Sequence, residues 1–206
     1  MATSKREGLS IFDAMVKRSF DFVVALLGLI AFSWLILIAW LLSTFDTRRN
    51  GLFTQLRVGR NCQLFHVIKI RTMRDELGIN TTVTVSGDQR ITPLGRLFRK
   101  TKIDELPQLI NVLVGQMSFV GPRPDVPGFA DKLDEEDKII LSIRPGITGP
   151  ATLKYRDEEK LLSKHNDTEA YNRDVIFPDK VKINKEYILN YTFRKDLYYI
   201  WNTLVG

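Results

Sequence analysis

The sequence predicts an α+β fold in which an N-terminal membrane helix hairpin precedes amphipathic helices around a small β-hairpin. Three patterns support this fold class. Residues 22–45 contain no charged side chain, residues 52–73 form two strand-like runs around a turn, and segments of helical periodicity follow residue 92. We expect a membrane-associated part over 1–47 and a second part over 48–206, which together act as one unit.

The apolar stretch over 22–45 is the most distinctive feature of the sequence. As a helix it would be about 36 Å long, enough to cross a hydrocarbon core of about 30 Å. A signal peptide has a shorter apolar part followed by a small-residue cleavage site, and an amphipathic core helix keeps one polar face. The sequence therefore predicts membrane insertion, with a short amphipathic helix over 9–20 leading into it.

Basic residues flank the stretch on both sides, Lys17 and Arg18 before it and Arg48 and Arg49 after it. Because basic flanks normally mark the cytoplasmic side, both ends are expected on the same face of the membrane. A re-entrant hairpin with its apex near Ser33 satisfies this, since a hydroxyl can bond to carbonyls opened at a bend. The stretch contains no proline to enforce the bend, so a straight spanning helix is the alternative.

Positive charge is concentrated directly after the membrane segment. The chain has 30 Lys plus Arg and 24 Asp plus Glu, and residues 46–103 alone contain 12 basic and 4 acidic side chains. Such a block attracts anionic membrane lipids or binds phosphates of a substrate. We expect no nucleic acid partner, because the block adjoins a membrane segment. The single cysteine excludes a disulfide framework and a Cys-rich zinc site.

The elements after the membrane segment are predicted from periodicity and turn residues. Pro- and Gly-rich loops are expected over 118–128 and 144–150. The other predicted elements are a β-hairpin over 52–73 with its turn at residues 59–61, a polar loop over 80–92, helices over 93–101 and 104–115, an acidic helix near 131–142, and helices near 179–191 and 194–205.

The final 28 residues interleave aromatic and basic side chains. Aromatic belts at the headgroup level of a membrane have this composition, and an amphipathic helix lying on the bilayer would use it. The same aromatic side chains could equally close the hydrophobic core. Both interpretations stay open from the sequence.

Two adjacent carboxylates, Asp104 and Glu105, follow a run of cations. Thr101 lies three residues before Asp104, a spacing like that of a capping box, which predicts a helix N-terminus at the pair. Most such pairs only cap a helix. The neighbouring positive charge favours an ionised carboxylate that attacks a phosphate or binds a hard cation. The preceding cations are Arg96, Arg99, Lys100 and Lys102.

Three further motifs could bind anions. Arg123 lies between Pro122 and Pro124, so its guanidinium could meet a phosphate or a base with little ordering cost. Lys69 and Arg71 lie at alternate positions of a predicted strand, on one face. The loop RPGITG, over 144–149, is rich in turn residues. Each motif alone is also typical of an ordinary surface, and the sequence contains neither GxxxxGK[ST] nor GxGxxG.

Three blocks of the sequence together carry a family resemblance: LFTQLRVGRNCQLFHVIKIRTM, TPLGRLFRKTKIDELPQLINVLVGQMSFVGPRP and RPGITG. In this order behind a membrane segment, they resemble the bacterial sugar transferases that initiate glycan assembly, the monotopic phosphoglycosyl transferases. The resemblance extends to about Gly149 and is to the minimal, catalytic-domain members. It implies a catalytic domain on the cytoplasmic face of the bacterial inner membrane, among membrane lipids. The implied reaction moves sugar 1-phosphate from a UDP-sugar to polyprenyl phosphate and releases UMP.

The resemblance also implies roles for individual residues. Asp104 would be the nucleophile that forms a covalent phosphosugar intermediate, and would bind Mg²⁺. Glu105 would assist as a metal neighbour or as the base for the lipid phosphate. Arg123, with Pro122 and Pro124, would bind the uridine nucleotide. The cations expected to bind phosphate oxygens are Lys69, Arg99 and Arg156.

The chain departs from the family pattern at two places. The family usually has Ser-Pro at the hairpin apex, where this chain has Ser33-Trp34, and a Gly-Arg-Asn element commonly follows RPGITG, where this chain has Lys154-Tyr155-Arg156.

Two other functions compatible with the basic block and Asp104 are a membrane-tethered lipid-binding scaffold and a Mg²⁺-dependent nucleotide-sugar hydrolase. The sequence does not discriminate among UDP-sugars.

Overall fold

The computed structural model describes residues 8–74 and 87–206. Its first element is one long helix, α1 (Ile11–Thr47), which begins after Ser10, whose side chain accepts a hydrogen bond from the Asp13 N–H. Along α1 the buried positions recur every four residues near each end, so one stripe of the helix packs on the rest of the chain. The buried positions are Lys17, Asp21, Ala25, Ala39, Ser43 and Thr47.

The structure shows no interruption of helical structure at the bend predicted near Ser33. Helix α1 continues through Ser33, whose hydroxyl donates to the Ile30 carbonyl within the same helix at 3.3 Å. Without a proline, no backbone hydrogen bond is lost at this point. The amphipathic helix predicted over 9–20 is the first part of α1. Within the described residues, α1 is the one helix long and apolar enough to cross a membrane.

The predicted β-hairpin is confirmed. Strands β1 (Leu52–Val58) and β2 (Leu64–Ile70) pair antiparallel along their full length. The turn between them contains a short 3₁₀ segment in which Asn61 and Cys62 have positive φ angles of 53° and 60°. Side chains of β2 pack under α1, so the hairpin and the long helix share a core. The buried side chains of β2 are Phe65, Val67 and Ile70.

A second sheet, which the sequence analysis missed, joins the two Pro- and Gly-rich loops. Strands β3 (Ser118–Val120) and β4 (Gly146–Thr148) pair in parallel. Three residues are too few for an alternating pattern to be recognised. The two loops approach so closely that a Cβ at Gly146 would lie 2.1 Å from the Gly121 nitrogen. Glycine is therefore required there by space alone.

Helix α2 (Pro93–Thr101) matches its prediction, with Thr92 accepting a hydrogen bond from the Gly95 N–H at its start. The helix predicted over 104–115 is shorter, because α3 (Gln108–Leu113) begins only after a separate 3₁₀ turn. Residues 80–86 of the predicted polar loop lie outside the described residues, and residues 87–92 form turns and a single bridge to Met73.

The acidic helix predicted near 131–142 is wrong. That segment has only two 3₁₀ turns, Ala130–Lys132 and Lys138–Leu141, because its run of four acidic residues offers like-charge repulsion and no apolar stripe. The helices predicted near 179–191 and 194–205 are confirmed as α7 and α8. The helices of the C-terminal part are α4 (Pro150–Lys154), α5 (Glu158–Leu162), α6 (Thr168–Tyr171), which continues through a π-helical turn (Asn172–Ile176) into α7 (Phe177–Leu189), and α8 (Phe193–Val205).

The aromatic side chains of the C-terminal part divide between the hydrophobic core and the surface. Tyr187 is buried in the largest core cluster, and Tyr191 and Tyr199 pack against it. On α8, however, Tyr198 and Trp201 are exposed. One side of this segment therefore closes the core, while the other presents aromatic rings at the surface.

Candidate active site

The two adjacent carboxylates lie on a 3₁₀ turn, Ile103–Glu105, rather than at the helix N-terminus that the sequence predicted. Thr101 is the last residue of α2, and its hydroxyl donates to the Leu97 carbonyl at 2.8 Å. It therefore cannot cap a following helix, and the capping-box prediction is wrong. Lys102, with a φ of 59°, reverses the chain between α2 and the turn. This reversal directs the carboxylates toward the β-hairpin.

Glu105 is the centre of an ion-pair cluster. Its Oε1 accepts hydrogen bonds from Lys69 Nζ at 3.1 Å and from Arg123 Nη2 at 2.8 Å. Burial alone would raise the pKa of Glu105, but the charges of Arg123, Lys69 and Lys102 outweigh it and hold that pKa far below its usual range. Glu105 is thus a permanent anion and a poor proton acceptor.

Asp104 has the opposite environment. It is 9% exposed, and its Oδ1 has no hydrogen-bond partner in the described part of the chain. Burial, followed by the negative charge of Glu105, raises the pKa of Asp104 to about 6, although Lys69 and Lys102 act in the opposite direction. A buried acceptor without a partner destabilises a fold by about 1–3 kcal/mol. Such a group is a candidate for contact with a ligand.

Six of the residues singled out in the sequence meet in this site, the two carboxylates among them. Lys69 reaches Glu105 from β2, and Arg123 reaches it from the loop after β3. Pro122 and Pro124 are buried on both sides of Arg123, whose own side chain is 43% exposed. The prolines fix the backbone, so the guanidinium is presented toward the carboxylates from a rigid loop.

Arg99 and Arg156 have other direct partners. Arg99 is near enough for its charge to lower the pKa of Asp104, but its guanidinium pairs with Glu159 of α5 at 2.5 Å. Arg156 donates from Nη2 to the Asn202 carbonyl in the last turns of α8. The structure thus places Arg99 beside the carboxylates and joins Arg156 to the C-terminal helix.

A further charged group borders Arg123 and was not singled out from the sequence. Arg57 of β1 donates to the Pro124 carbonyl at 3.0 Å, and burial, with the charge of Arg123, lowers its pKa to about 10. Burial also raises the pKa of Asp125 to about 6, opposed by Lys180 and Arg57. The position of Asp125 directly after Pro124 was the available signal. Lys180 is distant in sequence and gave none.

The oxygen atoms available around Asp104 determine whether the site suits Mg²⁺. Residues 8–74 and 87–206 contain no group of three or more His, Cys, Asp or Glu side chains that could hold a metal. Mg²⁺, however, is often bound by one or two carboxylates together with water and substrate phosphates. The unpartnered Oδ1 of Asp104 suits such a cation, whereas Glu105 is already occupied by two cationic side chains. The residues therefore fit a Mg²⁺ ion that arrives with a phosphate ligand.

The chain is similar to proteins of a known family. The family model described as "Bacterial sugar transferase" matches residues 12–206. The exopolysaccharide production protein ExoY of Sinorhizobium fredii is 31% identical over 204 residues, which cover 91% of this chain and 83% of that protein. The exopolysaccharide production protein PSS of Rhizobium leguminosarum bv. phaseoli is 39% identical over 150 residues, 69% of this chain and 75% of that protein.

A third relative has a name that describes a reaction. It is the UDP-N-acetylgalactosamine-undecaprenyl-phosphate N-acetylgalactosaminephosphotransferase of Aeromonas hydrophila. It is 33% identical over 162 residues, which cover 74% of this chain and 38% of that longer protein. The family match over nearly the whole chain, together with these relatives, shows that the chain belongs to the bacterial sugar transferase family and is a phosphoglycosyl transferase.

Proposed function

We propose that this chain transfers a sugar 1-phosphate from a UDP-sugar to undecaprenyl phosphate, releases UMP, and so initiates membrane glycan assembly. The observation that carries the proposal is the buried Asp104, whose Oδ1 lacks a partner beside three cationic side chains. The family match supports it, as does the name of the Aeromonas relative, which contains both a UDP-sugar and undecaprenyl phosphate. Phosphoryl transfer requires positioning and charge neutralisation above all.

Asp104 carries the sugar phosphate between two successive transfers, as the nucleophile of the first and the leaving group of the second. In the first, a carboxylate oxygen of Asp104 forms a bond to the phosphorus that carries the sugar, and the bond from that phosphorus to the UMP oxygen breaks. In the second, a phosphate oxygen of undecaprenyl phosphate bonds to the same phosphorus, and the Asp104 oxygen leaves. The carboxylate is regenerated, and the lipid ends as a diphosphate-linked sugar.

Glu105 positions cations in this scheme. Because its pKa is held low, it does not take a proton from the incoming lipid phosphate. Its contacts instead fix Lys69 and Arg123 where they meet phosphate oxygens and the nucleotide. Arg99 adds positive charge near Asp104. A phosphate-binding role for Arg156 requires its guanidinium to leave the Asn202 carbonyl, and that role stays a prediction.

Mg²⁺ would be held by Asp104 together with substrate phosphates, and it would neutralise negative charge on the transferred phosphate. The chain's own cations share that task, since Lys69 and Arg123 already stand beside the carboxylates. Removal of divalent cations by a chelator should therefore reduce turnover strongly while leaving the fold intact.

Helix α1 is proposed to enter the membrane from the cytoplasmic face and return to it. Near its start, Lys17 Nζ contacts Asp196 of α8 at 2.6 Å, and near its end the Ser43 hydroxyl donates to the Arg71 carbonyl at 2.6 Å. If α1 were straight, these contacts would be about 39 Å apart, more than the roughly 30 Å of a hydrocarbon core. A helix that crossed the bilayer would therefore draw the polar residues packed against it into the hydrocarbon core. A shallow re-entrant path would keep those residues outside the core.

The topology can be tested with single cysteines at positions 5 and 49, in a variant whose native cysteine is replaced by Cys62→Ser. A membrane-impermeant thiol reagent applied to intact cells and to inverted vesicles reports the face of each position. We expect both positions to be labelled only in inverted vesicles. Labels on opposite faces would establish a spanning helix and contradict the re-entrant path.

The reaction can be tested with the purified full chain and a panel of UDP-sugars. We expect UMP release that requires Mg²⁺ and undecaprenyl phosphate, and the most active UDP-sugar identifies the donor. A membrane-tethered scaffold would release no UMP with any sugar. A nucleotide-sugar hydrolase would release UMP equally well without the lipid phosphate. Either result would contradict the proposal.

A further inference from the structure

A cavity of about 400 Å³ lies at the turn end of the β-hairpin, away from the carboxylates. Its lining includes Arg60 and Leu64 from the hairpin, Val114 and Gly115 after α3, and Arg144 before β4. Lys69, which contacts the candidate active site, is five residues farther along β2 than Leu64, a separation of about 17 Å in a strand. A ligand of this cavity is therefore distinct from the reacting phosphate.

Two arginines are held at this cavity by carbonyls at the end of α3. Arg144 Nε donates to the Gly115 carbonyl at 2.7 Å, and Arg18 of α1 donates to the carbonyls of Val112 and Leu113 at 2.7 and 2.8 Å. Gly115 has a φ of +86°, and a Cβ there would lie 3.4 Å from the Arg18 guanidinium. Glycine is therefore favoured here by its backbone angle, and both guanidinium groups lie close to it.

The cavity with Arg18, Arg60 and Arg144, here called the arginine pocket, has excess positive charge. None of the three forms an ion pair with a carboxylate in residues 8–74 or 87–206, and the Arg60 guanidinium makes no hydrogen bond within those residues. Asp21, whose charge acts on Arg144, is buried and accepts a hydrogen bond from the Phe119 N–H. Three guanidiniums that repel one another without acidic partners are arranged to receive an anion.

The rim of the arginine pocket is apolar and adjoins the exposed surface of α1. Leu64 and Val114 are 55% and 61% exposed. The Arg18 guanidinium lies 5.8 Å from the ring centre of Phe22, which is itself exposed on the apolar part of α1. A ligand bound here would therefore combine an anionic group with an apolar part.

We infer that the arginine pocket binds the phosphodiester of a membrane phospholipid, with its acyl chains along the exposed faces of α1 and α3. Paired guanidiniums match phosphate oxygens in geometry as well as charge. Basic pockets beside membrane helices are known to bind lipid headgroups. The inference rests on the proposed membrane placement of α1. A lipid held here would fix the depth at which the candidate active site faces the bilayer.

The test uses the full chain in detergent and dihexanoyl phosphatidylglycerol, with native mass spectrometry to count bound lipids. We expect one tightly bound lipid per chain, and at least tenfold weaker binding in Arg60→Gln/Arg144→Gln. The control Arg173→Gln/Lys182→Gln removes the same charge from exposed positions of the C-terminal part and should bind as the parent does. Equal binding by the pocket variant would overturn the inference.

Further measurements identify which molecule supplies the bound phosphate, and a single substitution distinguishes a loss of binding from a loss of folding. Inorganic phosphate and UDP should not displace the lipid, and the KM for UDP-sugar should stay within twofold in the pocket variant. Displacement by either, or a large rise in KM, would assign the pocket to free phosphate or to the substrate instead. Arg60→Gln alone should fold normally and still weaken lipid binding several-fold. In Asp104→Asn, lipid binding should persist, so loss of the proposed reaction would be visible separately.

Discussion

Two buried carboxylates, Asp104 and Asp196, have opposite surroundings. Asp196 of α8 is 2% exposed, and its oxygens accept hydrogen bonds from Lys17 Nζ at 2.6 Å, from the Tyr191 hydroxyl at 3.2 Å and from the Tyr187 hydroxyl. Asp104 is nearly as buried, yet its Oδ1 has no partner among the described residues. The first carboxylate joins α1 to the C-terminal helices, and the second leaves an oxygen without a protein partner.

The hydroxyls around Asp196 show how completely it is enclosed. Burial, followed by the charge of Asp196, raises the pKa of Tyr187 and of Tyr191 above the ordinary range. Both tyrosines therefore remain protonated donors to the carboxylate at any ordinary pH. At Asp104 the neighbouring charges come from lysine and arginine side chains that bond elsewhere. Burial of a carboxylate therefore does not by itself indicate function, and the count of its partners separates the two cases.

The largest expected effect is on turnover in Asp104→Asn. Removal of the nucleophile should lower the rate of UMP release at least about 10³-fold, because the amide oxygen is a far weaker nucleophile than a carboxylate. The matched variant Asp125→Asn alters a second, half-buried carboxylate beside Arg123. It should retain covalent transfer, although nucleotide binding weakens. Full turnover in Asp104→Asn would show that Asp104, like Asp196, is not the nucleophile.

The same substitution at the two carboxylates should change stability in opposite directions. Asp196→Asn removes the carboxylate that pairs with the buried Lys17, and should lower the free energy of unfolding by about 3 kcal/mol. Asp104→Asn removes an unpartnered charge, and should raise that free energy by roughly 2 kcal/mol near pH 8. Denaturant unfolding of the detergent-purified variants measures both. A loss of stability in Asp104→Asn would show that its carboxylate has a structural partner.

Glu105→Gln should act on positioning. Lys69 and Arg123 would lose the charge that holds them, and misplaced cations should lower kcat by about 100-fold with a smaller change in KM for the lipid phosphate. Glu159→Gln is the matched control, since it breaks the partly exposed pair with Arg99 and should change kcat less than about threefold. Comparable losses in both variants would indicate that general positive charge, rather than the Glu105 contacts, governs the rate.

The smallest effect is a change in pH dependence. The pKa of Asp104 in the folded chain is about 6, above its ordinary value of 3.8. Between pH 3.8 and about 6, Asp104 binds more protons in the folded state than in the unfolded state. The free energy of unfolding therefore falls as the pH rises through this range. In EDTA, Asp104→Asn should flatten this decline by up to about 1.4 kcal/mol per pH unit. Asp125, with a similar pKa, should keep part of the slope. An unchanged slope would mean that Asp104 is solvated.

Local signals in the sequence were sufficient for several elements. The hairpin has a turn between two strand-like runs, and α2 begins at a Thr-Pro pair. Helices α7 and α8 begin at recognisable residues, near Pro178 and after Thr192. The acidic segment contains four consecutive like charges, which oppose the helix predicted there, and at Ser33 helix α1 continues without interruption. The parallel pairing of β3 with β4 depends on two loops that lie more than 20 residues apart.

The sequence indicated which residues form the candidate site but not the contacts among them. The cations before Asp104 and the two prolines around Arg123 identified it from the sequence. The division of roles between the two carboxylates depends on Lys69 arriving from the hairpin, and the sequence contains no sign of that contact. The same is true of Arg57 and Lys180, whose approach to Asp125 is created only by the tertiary fold.

The most direct test of the account is the mass of the full chain after brief mixing with UDP-sugar and Mg²⁺ in the absence of undecaprenyl phosphate. We expect an increase equal to one sugar phosphate, located on Asp104 by peptide sequencing, absent from Asp104→Asn and removed when the lipid phosphate is added. Asp196→Asn, where it folds, should form the same adduct. An adduct on another residue such as Asp125, or transfer to the lipid without any adduct, would contradict the assignment of Asp104 as the nucleophile.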